Sequence, residues 1–320
     1  MGAAGQVGRA LLHSVPPGAD VLGLTHEQLD ISDALAVHRT VAAYPPELLI
    51  NAAAYTAVDR AEAEPELERE AAINAEGARH LAEAVHGTAG SRLIQISTDY
   101  VFGGRSAVPY APDDAPNPIN VYGRTKLEGE RAALAVLGSR AVVLRTAWGY
   151  ASQGKNFLLT MLRLMRERGA VRVIADQRGS PTCAVSIARA IWRIAEIAQV
   201  RGVLHWTDAG TASWYDFACA IAAEGMHAGV PRGPVGVTPI TPQSTRPLLP
   251  GRPIACSICE RAWGVELGPV ALARGPGRHA AGINLSFQRY NVRVPHGSVK
   301  DDCNVKHSLS SSSKLCRVSD

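Results

Sequence analysis

Short apolar runs alternate with longer stretches of helical period through the first half of this chain. The runs 21–24, 48–51, 92–97, 141–146 and 171–174 are dense in Leu, Ile and Val, as strands covered on both faces must be. Apolar residues recur at helical spacing over 33–43, 65–86, 121–137 and 156–168. Ser32-Asp33 and Glu64-Pro65 supply helix starts, because a side-chain oxygen or a proline at the first helical position suits the unpaired first-turn amides. Regular alternation of strand and helix predicts an α/β fold built on a doubly wound parallel sheet.

After about residue 150 the rhythm loosens, with Gly179-Ser-Pro-Thr182 and Pro231-Arg-Gly-Pro234 marking loops, while helices at about 183–198 and 213–223 keep their period. The expected organisation is a dinucleotide-binding domain over 1–150 with later segments returning to it, and a smaller substrate-binding part over 151–274. From residue 275 to 320 no period is sustained and 308–313 is almost pure serine, so this stretch reads as a disordered or aberrant tail.

Composition narrows the picture. With 46% hydrophobic residues in 320 the chain can bury a substantial core, and no apolar run approaches the length of a membrane helix. No secretory leader is visible, so a cytoplasmic location is expected, with no membrane partner. The net charge of +4 sits in the tail: 275–320 holds seven Lys/Arg against three acids, and the remainder is balanced at 26 of each. That balance gives no reason to expect nucleic-acid binding. Cys256-Ser-Ile-Cys259 has the spacing of half a zinc site, but no second pair or histidine lies at a matching distance, and no metal is predicted.

Gly2-Ala-Ala-Gly5-Gln-Val-Gly8 runs into a helical pattern over 7–13. Glycines allow a tight turn and close backbone approach, and a helix N-terminus presents amides to a pyrophosphate, which makes a Rossmann-like nucleotide site the reading. A strand should precede such a loop, yet one residue does. The sheet is therefore expected to lack its first strand, a loss of several buried side chains worth about 1.5–3 kcal/mol each. At the end of the second strand, Gly23-Leu-Thr-His26 carries no acid to bind a ribose 2′-hydroxyl, which favours NADPH, with NADH the alternative. Asp30-Ile31 is placed to bracket the adenine, and Asn51-Ala-Ala-Ala54 ends a strand with residues small enough for a dinucleotide to lie close.

Tyr122 and Lys126 lie four apart on one helix face. A ketone needs a proton donor at oxygen as hydride reaches carbon, and a tyrosine performs this best when an ammonium lowers its pKa from near 10. Lys126 is suited to do so and to hold the nicotinamide ribose. Thr98, at the C-terminal end of the strand 92–97, would share the carbonyl hydrogen bond. A lone Tyr-x-x-x-Lys arises often by chance on an exposed helix face. Its position 24 residues after Thr98 makes the joint pattern specific.

The chain resembles the extended short-chain dehydrogenase/reductase family over about residues 2 to 270. The resemblance is carried by Gly5-Gln-Val-Gly8, Asn51-Ala-Ala-Ala-Tyr-Thr-Ala-Val-Asp59, Ser97-Thr-Asp-Tyr-Val-Phe102, Asn120-Val-Tyr-Gly-Arg-Thr-Lys-Leu-Glu-Gly-Glu130 and Arg145-Thr-Ala-Trp-Gly-Tyr150. Asn156-Phe157 and Asp176-Gln-Arg-Gly-Ser-Pro-Thr182 continue it. It implies reduction of the 4-keto group of dTDP-6-deoxy-L-lyxo-4-hexulose to dTDP-L-rhamnose. Tyr122 would be the acid, Lys126 its partner and Thr98 the assisting hydroxyl. Gly2, Gly5, Gln6, Val7, Gly8, Asp30, Ile31, Asn51, Ala52, Ala53 and Ala54 would hold the cofactor with Tyr122 and Lys126. The sugar pocket would be lined by Thr56, Val58, Tyr100, Trp148 and Asn156, with core packing the alternative for Trp148. An Arg-Pro pair expected near the substrate pyrophosphate is either Arg246-Pro247 or Arg252-Pro253. A homodimer is compatible with the resemblance; the acidic residues that bind a metal at a dimer contact in some members cannot be placed here. Two other readings stay open. One is a cofactor-binding regulatory subunit, against which the intact Tyr122, Lys126 and Thr98 argue. The other is a sugar-nucleotide epimerase or dehydratase, for which Asp99 is the nearby acid/base candidate.

Overall fold

The computed structural model describes residues 1–58, 66–106, 108–230 and 233–241. Glu64-Pro65, both Arg-Pro pairs, Cys256 and Cys259, and the tail 275–320 lie outside the described residues. In chain order the elements are α1 (Gln6–His13), α2 (Ala34–Ala43), β1 (Leu48–Asn51), α3 (Glu66–Ala71), a π turn (Ala72–Glu76), α4 (Gly77–His86), β2 (Arg92–Thr98), α5 (Val121–Leu137) and β3 (Ala141–Thr146). They continue as β4 (Gly149–Tyr150), α6 (Phe157–Arg168), β5 (Ala170–Ile174), β6 (Arg178–Gly179), β7 (Thr182–Cys183), α7 (Ala184–Glu196), β8 (Gly202–His205), β9 (Ala212–Ser213), α8 (Trp214–His227) and β10 (Gly236–Ile240).

The central sheet is parallel, in the order β1-β2-β3-β8. Its strands are short and apolar because helices cover both faces: Val142, Val143 and Leu144 of β3 are fully buried. On one side Leu93 packs with Val37 and Val41 of α2, Leu81 and Val85 of α4 and Leu137 of α5. On the other, Ile94, Val142 and Leu144 pack with Leu11 of α1 and Ile187, Ile191 and Ile194 of α7. A separate core joins α6, α8 and the β5–β10 pair through Met165, Val173, Phe217 and Ile221. Parallel register brings Asn51, Thr98, Thr146 and His205 to one edge, the C-terminal edge at which α/β ligands bind.

The caps follow the sequence. Asp33 accepts from Ala36 N, Asn120 from Gly123 N and Asn156 from Leu159 N, each satisfying a first-turn amide. Gly169 closes α6 at φ +69°, a left-handed turn suited to glycine.

Three elements differ from expectation. The segment 21–24 forms no strand and stays outside the sheet. Residues 1–3 stand between it and β1: Ala3 N donates to Leu24 O, Met1 N to Ile50 O, and Ala52 N to Met1 O. So short a stretch makes individual bonds and no ladder. The helical pattern 65–86 is interrupted by the π turn, a local widening common beside functional sites. The strand 171–174 pairs with β10 and not with the central sheet, whose fourth strand is β8, too short to announce itself.

Gly129 lets α5 lie close against that π turn, because a Cβ there would overlap the Asn74 carbonyl oxygen. Gly129→Ala is expected to lower the unfolding free energy by about 1–3 kcal/mol, measured as a lower midpoint in urea at unchanged slope.

Candidate active site

α1 starts behind Gly5, whose extended backbone (φ −72°, ψ 170°) leads into a first turn with no side-chain cap and no acidic residue. Its leading amides and the positive end of the helix dipole are left for an anion. Gly2 adopts φ +78°, and a Cβ on it would lie 2.5 Å from Ala53 N, while one on Gly8 would overlap Gly2 O. The loop is therefore a backbone-lined cradle laid against Ala52 and Ala53, which suits a dinucleotide pyrophosphate. Val7 is half-buried against the α7 side of the sheet. Asn51 is buried, donating to Gln95 Oε1 at 2.8 Å and accepting from Ala53 N at 3.1 Å, so it shapes this floor from below. Asp30 is exposed; partial burial raises its carboxyl, but the hydroxyl and amide of Ser32 outweigh this and hold it below the usual range. Ile31 is a core residue packed on Gly77.

Thr98 ends β2 and Tyr122 opens α5, and their hydroxyls hydrogen-bond to each other. Tyr100 meets the Tyr122 ring edge-on, with centroids 5.5 Å apart. Lys126 is 3% exposed and its Nζ donates to Ile96 O at 2.7 Å. Burial pushes the Lys126 ammonium down to about 8, with Glu130 opposing. The Tyr122 phenol is raised above its ordinary value, first by burial and then by the charges of Asp99 and Glu70, with Thr98 pulling the other way. This differs from the expectation that Lys126 lowers it: desolvation dominates, and the Lys126 ammonium is turned to Ile96 O. The phenol is held in its protonated form, the form a proton donor needs.

The residues expected to line a sugar pocket divide. Tyr100 sits beside Tyr122. Thr56 is exposed and Val58 half-buried on the segment leaving β1, whose Tyr55 backbone is gripped by Asn74: Oδ1 accepts from Tyr55 N and Nδ2 donates to Tyr55 O. Trp148 has φ +47°, and its ring stacks on Trp214 with centroids 3.5 Å apart. The amide of Asn156 caps α6 and also donates to Ala151 O and to Gln6 Oε1, both at 2.8 Å. It thus ties the loop before α6 to the start of α1 behind the glycine loop.

The model of the RmlD substrate binding domain family matches residues 1–263. The chain is 43% identical to a Streptomyces antibioticus protein named a probable dTDP-4,6-dihydroxy-2-methyloxan-3-one 4-ketoreductase, over 68% of this chain and 73% of that one. It is 40% identical to a dTDP-4-dehydrorhamnose reductase of Salmonella typhimurium, over 72% and 78%. Among solved structures, dTDP-4-dehydrorhamnose reductase from Bacillus anthracis in complex with NADP aligns with a TM-score of 0.73 and 34% identity, covering 81% of this chain and 88% of that one.

Sequence reasoning missed the ion pair beneath these groups. Glu130, one turn beyond Lys126, accepts from Arg145 Nε at 2.9 Å and from a terminal guanidinium nitrogen at 2.7 Å, and both side chains are almost fully buried. The Ser97 hydroxyl also donates to Glu130, and Arg145 lies over the Phe102 ring at 5.1 Å. The signal available was the Lys126/Glu130 spacing inside a motif read only for its tyrosine and lysine. Arg145→Ala or Glu130→Ala alone is expected to cost about 3–5 kcal/mol by stranding a buried charge. The double variant should lose much less than their sum, as read from a double-mutant cycle of urea unfolding.

Proposed function

The chain belongs to the RmlD substrate binding domain family, and we propose that it is an NADPH-dependent reductase of the 4-keto group of dTDP-4-dehydro-L-rhamnose, forming dTDP-L-rhamnose. The observation that carries this reading is the meeting of the Thr98 and Tyr122 hydroxyls at the C-terminal edge of β2, with Lys126 one turn further along α5. The NADP complex of the Bacillus anthracis relative supports the cofactor, and the uncapped α1 N-terminus with its Gly2–Gly8 cradle suits it. Residues 1–150 with α7 and β8 form the nucleotide half in this reading, and α6, α8, β5 and β10 the half that faces the sugar.

NADPH, when bound, supplies a hydride to the carbonyl carbon. Tyr122 Oη holds the proton that moves to the carbonyl oxygen as negative charge grows there. Thr98 Oγ1 orients Tyr122 and shares the hydrogen bond to the reacting oxygen. Lys126 holds the nicotinamide ribose and offsets charge left on the tyrosine. Tyr100 and Trp148 wall the sugar, and Asn156 keeps the loop before α6 registered on the cofactor cradle. The match to the Streptomyces antibioticus ketoreductase favours a second reading, in which the 4-keto group belongs to another dTDP-deoxysugar. The chemistry is shared, and the two separate by the substrate turned over.

The test is NADPH oxidation followed optically with each keto-sugar nucleotide. Turnover is expected with dTDP-4-dehydro-L-rhamnose; tight NADPH binding without turnover on any 4-keto sugar would instead make the chain a regulatory subunit. Tyr122→Phe should slow the chemical step by roughly 10²–10⁴-fold with cofactor affinity nearly intact. Lys126→Met should weaken cofactor binding and turnover together. A Tyr122→Phe enzyme of near-normal rate would remove the proton-donor assignment.

A further inference from the structure

Thr98 has one hydroxyl proton and two neighbours that can take it. Its Oγ1 lies 3.0 Å from Asp99 Oδ1 and is hydrogen-bonded to Tyr122, while it accepts from Tyr100 N at 3.2 Å. Asp99 is 1% exposed, and its Oδ2 has no hydrogen-bond partner among the described residues. Burial pushes its carboxyl up to about 7 against bonds from Thr98 and the local backbone amides. A carboxylate in that position keeps a buried, unsatisfied charge-bearing oxygen, whereas a carboxylic acid has a partner for its proton in Thr98 Oγ1.

We propose that Asp99 works as a neutral carboxylic acid that donates to Thr98 Oγ1 and so turns the Thr98 hydroxyl toward Tyr122 and the reacting carbonyl. This rests on the reductase reading of the same site. The donors then run in one direction, from Asp99 to Thr98 and from Thr98 and Tyr122 together toward the reacting oxygen, a chain whose members polarise one another. No bond to Asp99 breaks during turnover. The proton given to the substrate is that of Tyr122, and Asp99 is a positioning residue acting through Thr98. Ionised Asp99 reverses the first bond, draws the Thr98 proton to itself and sets a negative charge near the oxygen on which negative charge develops. The groups facing this cluster are Tyr122 and Lys126 from α5, Glu70 from α3 and Tyr100 on the turn after β2. Tyr122 feels both Asp99 and Glu70, and Lys126 is turned to Ile96 O with Glu130 opposing its loss of charge.

The test compares kcat of the full-length wild type and Asp99→Asn from about pH 6 to 9. The amide of asparagine can donate to Thr98 Oγ1 but cannot ionise. Lys126 titrates in both proteins, so the readout is the ratio of variant to wild-type rate. That ratio is expected to rise about tenfold across the range, leaving the variant faster than wild type at the alkaline end; a ratio flat with pH overturns the proposal. A second measurement needs no turnover: the infrared carboxylic-acid band of a buried protonated acid should be present in the wild type near pH 6 and missing in Asp99→Asn. Its absence from the wild type overturns the proposal alone. A wild type that shows the band yet reduces no dTDP-4-keto sugar counts against the reductase reading and not against the protonation of Asp99.

Discussion

The helix that carries Tyr122 and Lys126 is fixed in rotation by a buried interaction, the bidentate pair of Glu130 on α5 and Arg145 on β3. Its geometry decides where everything nearer the substrate can sit. Glu130 is one helical turn from Lys126 and two from Tyr122, so fixing its carboxylate fixes the rotation of the helix face that carries both. The Ser97 hydroxyl adds a bond from β2, and Lys126 donates to Ile96 O on the same strand. The helix is thus latched at successive turns to the strand whose last residue is Thr98. An apolar pair of equal volume would pack as well, but would leave α5 freer to rotate or slide. Here the guanidinium fork accepts one carboxylate orientation. Desolvating two charges costs several kcal/mol, and what it secures is position.

The same dryness sets the chemistry above the latch. Burial raises the carboxyl of Asp99 and the phenol of Tyr122 and lowers the ammonium of Lys126. All three shifts favour the neutral form, as desolvation must. A site that moves a proton to a developing alkoxide benefits from this: charge appears in low dielectric only as the reaction creates it, and the fixed donors meet it without reorganising. His205 follows the rule on the far side of Phe102, pushed down to about 4 first by burial and then by Arg145. It stays neutral beside the guanidinium.

Much of this was legible in the sequence. The strands 48–51 and 141–146 and the helix 121–137 appear with the bounds read from periodicity, because each is an uninterrupted apolar run or a capped helix whose end residues, Asn120 and Gly138, signal themselves. The glycine cradle was legible too, since Gly2 needs a positive φ and Gly8 a missing Cβ. What stayed hidden is tertiary. The segment 21–24 has a strand's composition but not a strand's neighbours, and composition cannot report neighbours. β8 is four residues long and gains its place from pairing with β3. The π turn at 72–76 follows from the contact of Asn74 with Tyr55 and of its carbonyl with Gly129, distant in sequence. Asp99 stood in plain view within the Ser-Thr-Asp motif, but its meaning depends on a burial that no local pattern encodes.

The halves of the molecule meet in a way that explains why two residues expected to line a pocket, Trp148 with core packing as its alternative, are built so rigidly. Trp148 is a non-glycine residue at φ +47°, a conformation costing about 1–3 kcal/mol unless its surroundings enforce it. They do: its ring is clamped between Trp214 of α8 and the bare Cα of Gly179, and it also packs against the cluster of Val101, Phe102, Leu127 and Ala147. One side chain therefore spans the core behind the catalytic helix and the core of the α6–α8 half. Asn156 does the same at the start of α1, bonding Gln6 while capping α6. With a bridge at each of these two places, the α6–α8 half cannot shift without disturbing either the Gly2–Gly8 loop or the packing under Tyr122. In the proposed reduction, which needs hydride, carbonyl carbon and phenol proton within about 3–3.5 Å of their targets, that constraint is what would gain the rate.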